Sequence, residues 1–375
     1  MKTTVTVLVF CVAALLALGL VILYSESMTH GARFLVKQLQ WCALGIAACV
    51  VAACIKPEWL RRWAWLFYGL AVILLAAVLV PHVGMRINGA RRWLGFGGVV
   101  LQPSEFAKLA LIIFLAWYGA RFQRQMETFK LGLAVPLLLV AVVLGLVFKE
   151  PDVGTTILIA AVAASMLVVA GVRVRFIVPP GLAAALGLGL YLWQDPVRLR
   201  RILAWLFLEE NKEGVGYQAY QAMLALGSGG LTGLGLGDGR QKRGFVPEQH
   251  TDFIFAIIGE ELGLVATLLV VLAFLVIVLC GLRIALRTED RFGLLLATGV
   301  SLLIGLQAFI NIGVVTSVLP NKGIPLPFIS YGGSNLLVML TCVGLLINLA
   351  RRARTPEPRP ENPFETGPVA LPQYS

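Results

Sequence analysis

Residues 244–264, GFVPEQHTDFIFAIIGEELGL, decide the fold, because an acid-bearing polar loop runs without a break into a helix apolar enough to enter a membrane. Asp252 stands at the junction. A carboxylate there lies at the edge of the low-dielectric region beside a helix N-terminus, whose dipole favours the ionised form. Two readings follow: chemistry on a membrane-embedded substrate, or an N-cap in which Thr251 or Asp252 satisfies free N–H groups.

The rest of the chain supports a membrane setting. Its 375 residues are 58% hydrophobic and 14% charged, and the mean hydropathy of +0.85 is far too high for a soluble domain of this length. Apolar runs fall at about 4–23, 34–54, 63–80, 104–120, 131–148, 154–172, 176–193, 252–282, 292–317 and 329–350, each near the length that crosses a bilayer. The expected fold class is therefore all-α: a polytopic integral membrane protein with about ten transmembrane helices and one large extracytoplasmic loop. The run at 104–120 is the weakest span, since it begins with Ser104, Glu105 and Lys108. Residues 1–350 form the membrane domain, with the large loop at 194–250 between the seventh and eighth spans. Residues 351–375 are a proline-rich polar tail, expected to be cytoplasmic and disordered.

Lys2 ahead of the first apolar run imitates a signal peptide. The run is longer than a usual signal core, and Ser25, Glu26 and Ser27 offer no small-residue cleavage pattern, so a retained helix is expected. All six cysteines fall in expected spans, without metal or disulfide spacing, and read as packing residues.

With the N-terminus inside, every short inner loop is basic (Lys56, Arg61, Arg62; Arg121, Arg124, Lys130; Arg173, Arg175; Arg283, Arg287, Arg291), as is the tail, which satisfies the positive-inside rule. Roughly half of the 31 Lys and Arg nevertheless lie outside or within spans, against that bias. An anionic partner on the outer side is implied, either lipid headgroups or a ligand carrying pyrophosphate, which the planar donors of arginine suit.

Four outer segments gather the unusual polar residues. In INGARRWLGFGGVVLQPSEFAKLALIIF (87–114), Pro103, Ser104 and Glu105 read as a helix start, and Glu105 and Lys108 share a helix face. An ionisable pair at membrane depth is a functional candidate, with a structural salt bridge as the alternative. In KEPDVGTT (149–156), Glu150 and Asp152 sit on a tight turn and read as solvated, or as a cation site. The loop at 194–250 contains an amphipathic piece, YQAYQAMLAL, and then GSGGLTGLGLGDGRQKRGFVPEQHTD, whose glycines suit backbone that closely approaches an anionic ligand or a helix end. In NIGVVTSVLPNKGIPLPFISYGGSNLL (311–337), three prolines interrupt apolar sequence, and irregular backbone at that depth must be buried or line a cavity.

Other chemistries lack their residues. The glycine run has no Gly-Lys-Ser/Thr ending and no preceding strand, so no nucleotide is expected. The three histidines have no zinc spacing, there is no GxSxG nucleophile elbow, and the net charge of +11 is spread over both faces rather than gathered for nucleic acid.

Taken together, INGARRWLGFGGVVLQPSEFAK, PDVGTT, GSGGLTGLGLGDGRQKRGFVPEQHTDFIFAIIGEELGL and NIGVVTSVLPNKGIPLPFISYGGSNLL resemble the SEDS family (shape, elongation, division, sporulation; FtsW/RodA/SpoVE) of bacterial membrane proteins over nearly the whole chain. The run GLGDGRQKRGFVPEQHTDFIF is closer to the division branch, FtsW, than to the elongation branch, RodA.

The resemblance implies a peptidoglycan glycosyltransferase that polymerises lipid II at the outer face of the cytoplasmic membrane and releases undecaprenyl pyrophosphate, with both termini cytoplasmic. It matches the family's essential aspartate to Asp252 and its fourth-span acid and lysine to Glu105 and Lys108. Asp252 would act as base toward the acceptor hydroxyl, or hold a divalent cation (Mg or Mn), with Glu105 and Lys108 tuning it. Arg91, Arg92, Arg240 and Lys242 would contact pyrophosphate, and His250, Thr251, Lys322 and Ser330 complete the expected substrate contacts. His250 reads either as a catalytic imidazole or as a residue that shapes its loop. KEPDVGTT departs from the glutamine common before this proline, which puts a special role for Glu150 in doubt. The implied partners are lipid II and undecaprenyl-linked glycan, a class B penicillin-binding protein (an FtsI-like or elongation-type transpeptidase) and other divisome or elongasome proteins. A lipid II flippase is the alternative, although a transporter needs access from both faces and the unusual charges gather on one.

Overall fold

The computed structural model describes residues 1–30, 33–87, 90–96, 99–239 and 251–353. In chain order the elements begin with helices α1 (Lys2–His30), α2 (Arg33–Cys54), α3 (Pro57–Arg62) and α4 (Ala64–Leu79). Strands β1 (Gly84–Ile87), β2 (Ala90–Phe96) and β3 (Val99–Leu101) come next, then α5 (Pro103–Arg121), α6 (Val135–Lys149), α7 (Val153–Ala170) and α8 (Val174–Gln194). The chain continues through α9 (Pro196–Leu206), α10 (Tyr217–Ser228), α11 (Ile254–Arg287), α12 (Arg291–Val315) and α13 (Gly333–Arg352).

The long helices α1, α2, α4 to α8 and α11 to α13 fall on the expected spans. Among the described residues, eight helices are long and apolar enough to cross a membrane by length and composition, counting the π-helix Phe129–Ala134 together with α6; the 16-residue α4 is shorter. In α5, Glu105 and Lys108 dilute an otherwise apolar sequence, yet the helix is buried along nearly its whole length. α5, α12 and α13 form the centre of the bundle, whereas α8 has no buried residue. Helix starts follow local chemistry: Pro103 occupies the first turn of α5, and the Asp152, Asp195 and Asp290 carboxylates accept from Thr155 N, Val197 N and Gly293 N at the heads of α7, α9 and α12. The expected tail at 351–375 lies outside the described residues from 354 onward.

Two expected spans begin later than their apolar runs. α11 starts at Ile254 rather than 252; α13 starts at Gly333 rather than 329, because residues 326–330 form a buried turn before it. The segment after residue 83 is not simply a loop. β1, β2 and β3 form an antiparallel sheet in which Gly84 faces Leu94, Arg86 faces Arg91, and Leu94 faces Leu101.

α11 is broken at Gly263 (φ 78°, ψ −173°), and the glycine run repairs the break. In an unbroken helix Leu264 N and Val265 N would donate to Glu260 O and Glu261 O. Here Leu264 N donates to Gly230 O (2.9 Å) and Val265 N to Leu231 O (3.3 Å), while Glu260 O accepts from Leu234 N (2.9 Å) and Glu261 O from Gly235 N (3.1 Å). The loop at 230–235 is thus spliced into the helix ladder, and these four freed backbone groups regain partners, as the hydrocarbon region requires. The glycines serve a helix, one of the two roles their composition suggested. A Cβ on Gly263 would lie 2.4 Å from Gly233 N and 2.5 Å from Leu231 O. Gly263→Ala is expected to cost at least about 1–3 kcal/mol from its backbone region alone, read as a fall in Tm of the solubilised protein.

Candidate active site

Asp252 lies two residues before the first residue of α11, Ile254. The N-cap of α11 is Phe253, with no side-chain cap bond, so neither Thr251 nor Asp252 caps the helix. The reason is register: the helix begins one residue too late for the Asp252 carboxylate to reach its free N–H groups. The Asp252 backbone carbonyl instead accepts from Asn311 Nδ2 of α12 (2.8 Å), and its carboxylate lies against Gly323, where a Cβ would come within 2.3 Å of Oδ2.

Gly323 belongs to the proline-interrupted segment between α12 and α13, which is a cavity wall as its irregular sequence suggested. Leu319, Asn321, Lys322 and Gly323 line a cavity of ≈ 570 Å³. Asp252 and Phe253, Arg92 of β2, Asp152 and Gly154 at the head of α7, Arg201 and Trp205 of α9, and Gln218 and Ala219 of α10 complete most of the rest. Five distant segments therefore bring two carboxylates and three cations to one space. Burial and the Arg201 and Arg198 guanidinium groups push the Lys322 ammonium below its ordinary pKa, with Asp152 opposing. A compact cationic group of this kind is stabilised by an anion.

Arg92 is held by the turn it faces. Its Nε donates to Glu150 O (2.8 Å), one Nη donates to Pro151 O (2.7 Å), and the other Nη lies 3.8 Å from Asp152 Oδ2. Asp152 also accepts from Thr155 N (3.1 Å) and Thr155 Oγ1 (2.9 Å). The expected solvated turn is thus overturned: Glu150 is 0% and Asp152 5% exposed, and Arg92 of β2 binds the turn. Both Glu150 carboxylate oxygens are buried without a hydrogen-bond partner. Burial and the neighbouring Asp152 push this carboxyl up to about 8, with Arg92 opposing. A neutral Glu150 leaves Asp152 as the carboxylate of this turn that opposes the positive charge of Arg92.

Between the ordinary carboxylate pKa and about 8 the folded state holds a proton that the unfolded state has lost, so stability falls as pH rises through that window. One such proton gives a slope of up to about 1.4 kcal/mol per pH unit. Glu150→Gln keeps the shape and removes the proton, so thermal melts of wild type should lose more stability between about pH 5 and 8 than those of the variant. Equal slopes would contradict a neutral buried Glu150.

Glu105 and Lys108 do not reach this cavity. Lys108 Nζ lies 2.8 Å from Glu105 Oε2, which also accepts from Asn335 Nδ2 (2.8 Å), and Lys108 donates to Gln307 Oε1 (2.8 Å). Gln307 Nε2 in turn donates to Pro325 O (2.9 Å). The pair is linked to the cavity wall through an amide, not by contact with Asp252. Arg91 also stays out: adjacent strand residues face opposite ways, and Arg92 takes the cavity side. Ser330 is a clasp rather than a lining residue, since its Oγ donates to Thr251 O and accepts from Leu326 N (2.8 Å). Arg240, Lys242 and His250 lie outside the described residues.

With this geometry in place, comparison with known proteins gives a family. A model described as cell cycle protein, covering FtsW, RodA and SpoVE, matches residues 5–355. The chain belongs to the FtsW/RodA/SpoVE family. The "probable peptidoglycan glycosyltransferase FtsW" of Geobacter metallireducens is 41% identical over 355 residues, 93% of this chain and 95% of that one. Stage V sporulation protein E of Bacillus subtilis is 39% identical, covering 92% and 97%. Among solved structures, a chain of a peptidoglycan synthase complex that coordinates polymerization and crosslinking superposes with a TM-score of 0.78 at 28% identity, covering 92% of this chain and 97% of that one. RodA of Thermus thermophilus superposes at 0.68, also 28% identical, covering 93% and 97%. The higher identity to FtsW and SpoVE agrees with the division-side resemblance, and the polytopic helical fold is that of the FtsW/RodA/SpoVE family.

Sequence reasoning missed Asp152 as a buried cavity residue and missed Gln307, Asn311 and Asn335. The available signal was an amide pair, Gln307 and Asn311, four apart inside an apolar span.

Proposed function

We propose that this chain is a peptidoglycan glycosyltransferase that polymerises lipid II into glycan strands at the outer face of the bacterial cytoplasmic membrane. The observation that carries the reading is the cavity in which Asp252 faces Arg92, Arg201 and Lys322 at the end of a membrane bundle. The acceptor sugar 4-hydroxyl attacks the anomeric carbon of the donor, Asp252 takes the hydroxyl proton, and the bond from that carbon to the pyrophosphate oxygen breaks with inversion. Arg92, Arg201 and Lys322 receive the negative charge that develops on the leaving undecaprenyl pyrophosphate. The activated lipid supplies the driving energy, so no nucleotide takes part.

A resident Mg or Mn ion fits the described residues poorly. The Asp152 oxygens are committed to Thr155 and Arg92, three cations share the cavity, and no three His, Cys, Asp or Glu come together among the described residues. The cationic help is therefore assigned to side chains. Basic inner loops favour cytoplasmic termini. A class B penicillin-binding protein is the proposed partner, within a division complex or its elongation counterpart. A lipid II flippase is the weaker reading, since the charged groups gather at one end. The test is polymerisation of purified lipid II by the purified protein with its class B partner; glycan chains are the expected product, and their absence from folded protein would overturn the assignment.

A further inference from the structure

We infer that Asn311, seconded by Gln307 one turn earlier on α12, is a positioning residue for this reaction, setting the Asp252 carboxylate against the 319–330 segment. The inference rests on the glycosyltransferase reading above. Asn311 Nδ2 donates to Asp252 O (2.8 Å) and to Ile324 O (2.7 Å), so a single amide joins the two cavity walls that carry Asp252 and Lys322. Gln307 Nε2 binds the next carbonyl, Pro325 O, and its Oε1 is fixed by Lys108. Consecutive carbonyls of an interrupted segment are thus tied to one face of a buried helix, and the residue before them, Gly323, is the one that abuts the Asp252 carboxylate.

Two further observations separate positioning from simple stabilisation. Asn311 is 1% exposed, and its Oδ1 is buried without a hydrogen-bond partner, so the side chain carries one unmet acceptor to keep Nδ2 on the two carbonyls. The segment it holds is bounded by left-handed backbone at Ser317 (φ 56°) and Phe328 (φ 66°), a conformation that persists only where the surroundings over-determine it. The amide orientation is fixed as well, since reversing it would set Oδ1 against two carbonyl oxygens.

Asn311→Ala would leave Asp252 present but loosely placed. Displacement of a reacting group by about 1 Å is enough to lose about 100-fold in rate. The experiment measures kcat and KM for lipid II with wild type, Asn311→Ala and the isosteric Asn311→Asp, alongside melting curves. We expect kcat of Asn311→Ala to fall about 100-fold with KM within about threefold of wild type, the pattern of an interaction used in the transition state. Asn311→Asp can donate only when protonated, so its activity relative to wild type at the same pH should recover on the acid side, which a packing role would not produce. Should Asn311→Ala fail to fold, that pH ratio carries the test. Full kcat in folded Asn311→Ala, or a pH-independent ratio for Asn311→Asp, overturns the role while leaving the function intact. A wild type that makes no polymer overturns the function and this role with it.

Discussion

Asp252→Asn and Asp252→Ala are expected to lose about 10³-fold or more of polymerising activity while melting within a few degrees of wild type, a loss within the range for removal of a positioned general base. Stability should hold because both variants keep the backbone carbonyl that Asn311 binds, and the N-cap of α11 is Phe253. The asparagine variant is the more telling, since it keeps volume and polarity and removes the negative charge together with the ability to take a proton. Asp252→Glu should fail as well. The extra methylene has little room, because the carboxylate already sits where Gly323 would carry a Cβ. Binding of lipid II should persist in the asparagine variant, as Arg92, Arg201 and Lys322 are untouched. Undiminished polymer from folded Asp252→Asn would remove the carboxylate from the mechanism.

How much of this was legible in the sequence depends on the length scale of the signal. The spans were readable because burial in lipid imposes long apolar runs with basic inner flanks, and the helices fall on those runs. The interrupted segment at 319–330 was readable for the converse reason: prolines in apolar sequence require a protein-lined setting. The sheet at 84–101 was not, since its strands are short and carry few alternating residues, although the flanking Asn88-Gly89 and Gly97-Gly98 pairs are hairpin signals. Glu150 and Asp152 were misread because local polarity suggests solvent, whereas their burial and the Arg92 contact come from parts of the chain distant in sequence. The glycine run illustrates the same limit: its purpose depends on Gly263, whose broken ladder no local pattern announces.

The second large effect is expected at the buried ion pair. Lys108→Met leaves Glu105, 3% exposed, with the Asn335 amide in place of a cation, and breaking a buried pair this way costs about 3–5 kcal/mol. Low yield or a strongly lowered Tm should follow. Pairing that change with Glu105→Gln removes the stranded charge, and stability should return, since neutral replacement of a buried pair is often harmless. Activity should not return with it. In the double variant Gln307 loses the ammonium that fixes its Oε1, so the amide that holds Pro325 O is free to turn, and the wall bearing Lys322 and Gly323 loses an anchor. A double variant that is stable but slow places the pair in the positioning network behind Asp252. Recovery of stability and kcat together would instead make Glu105 and Lys108 purely a folding element.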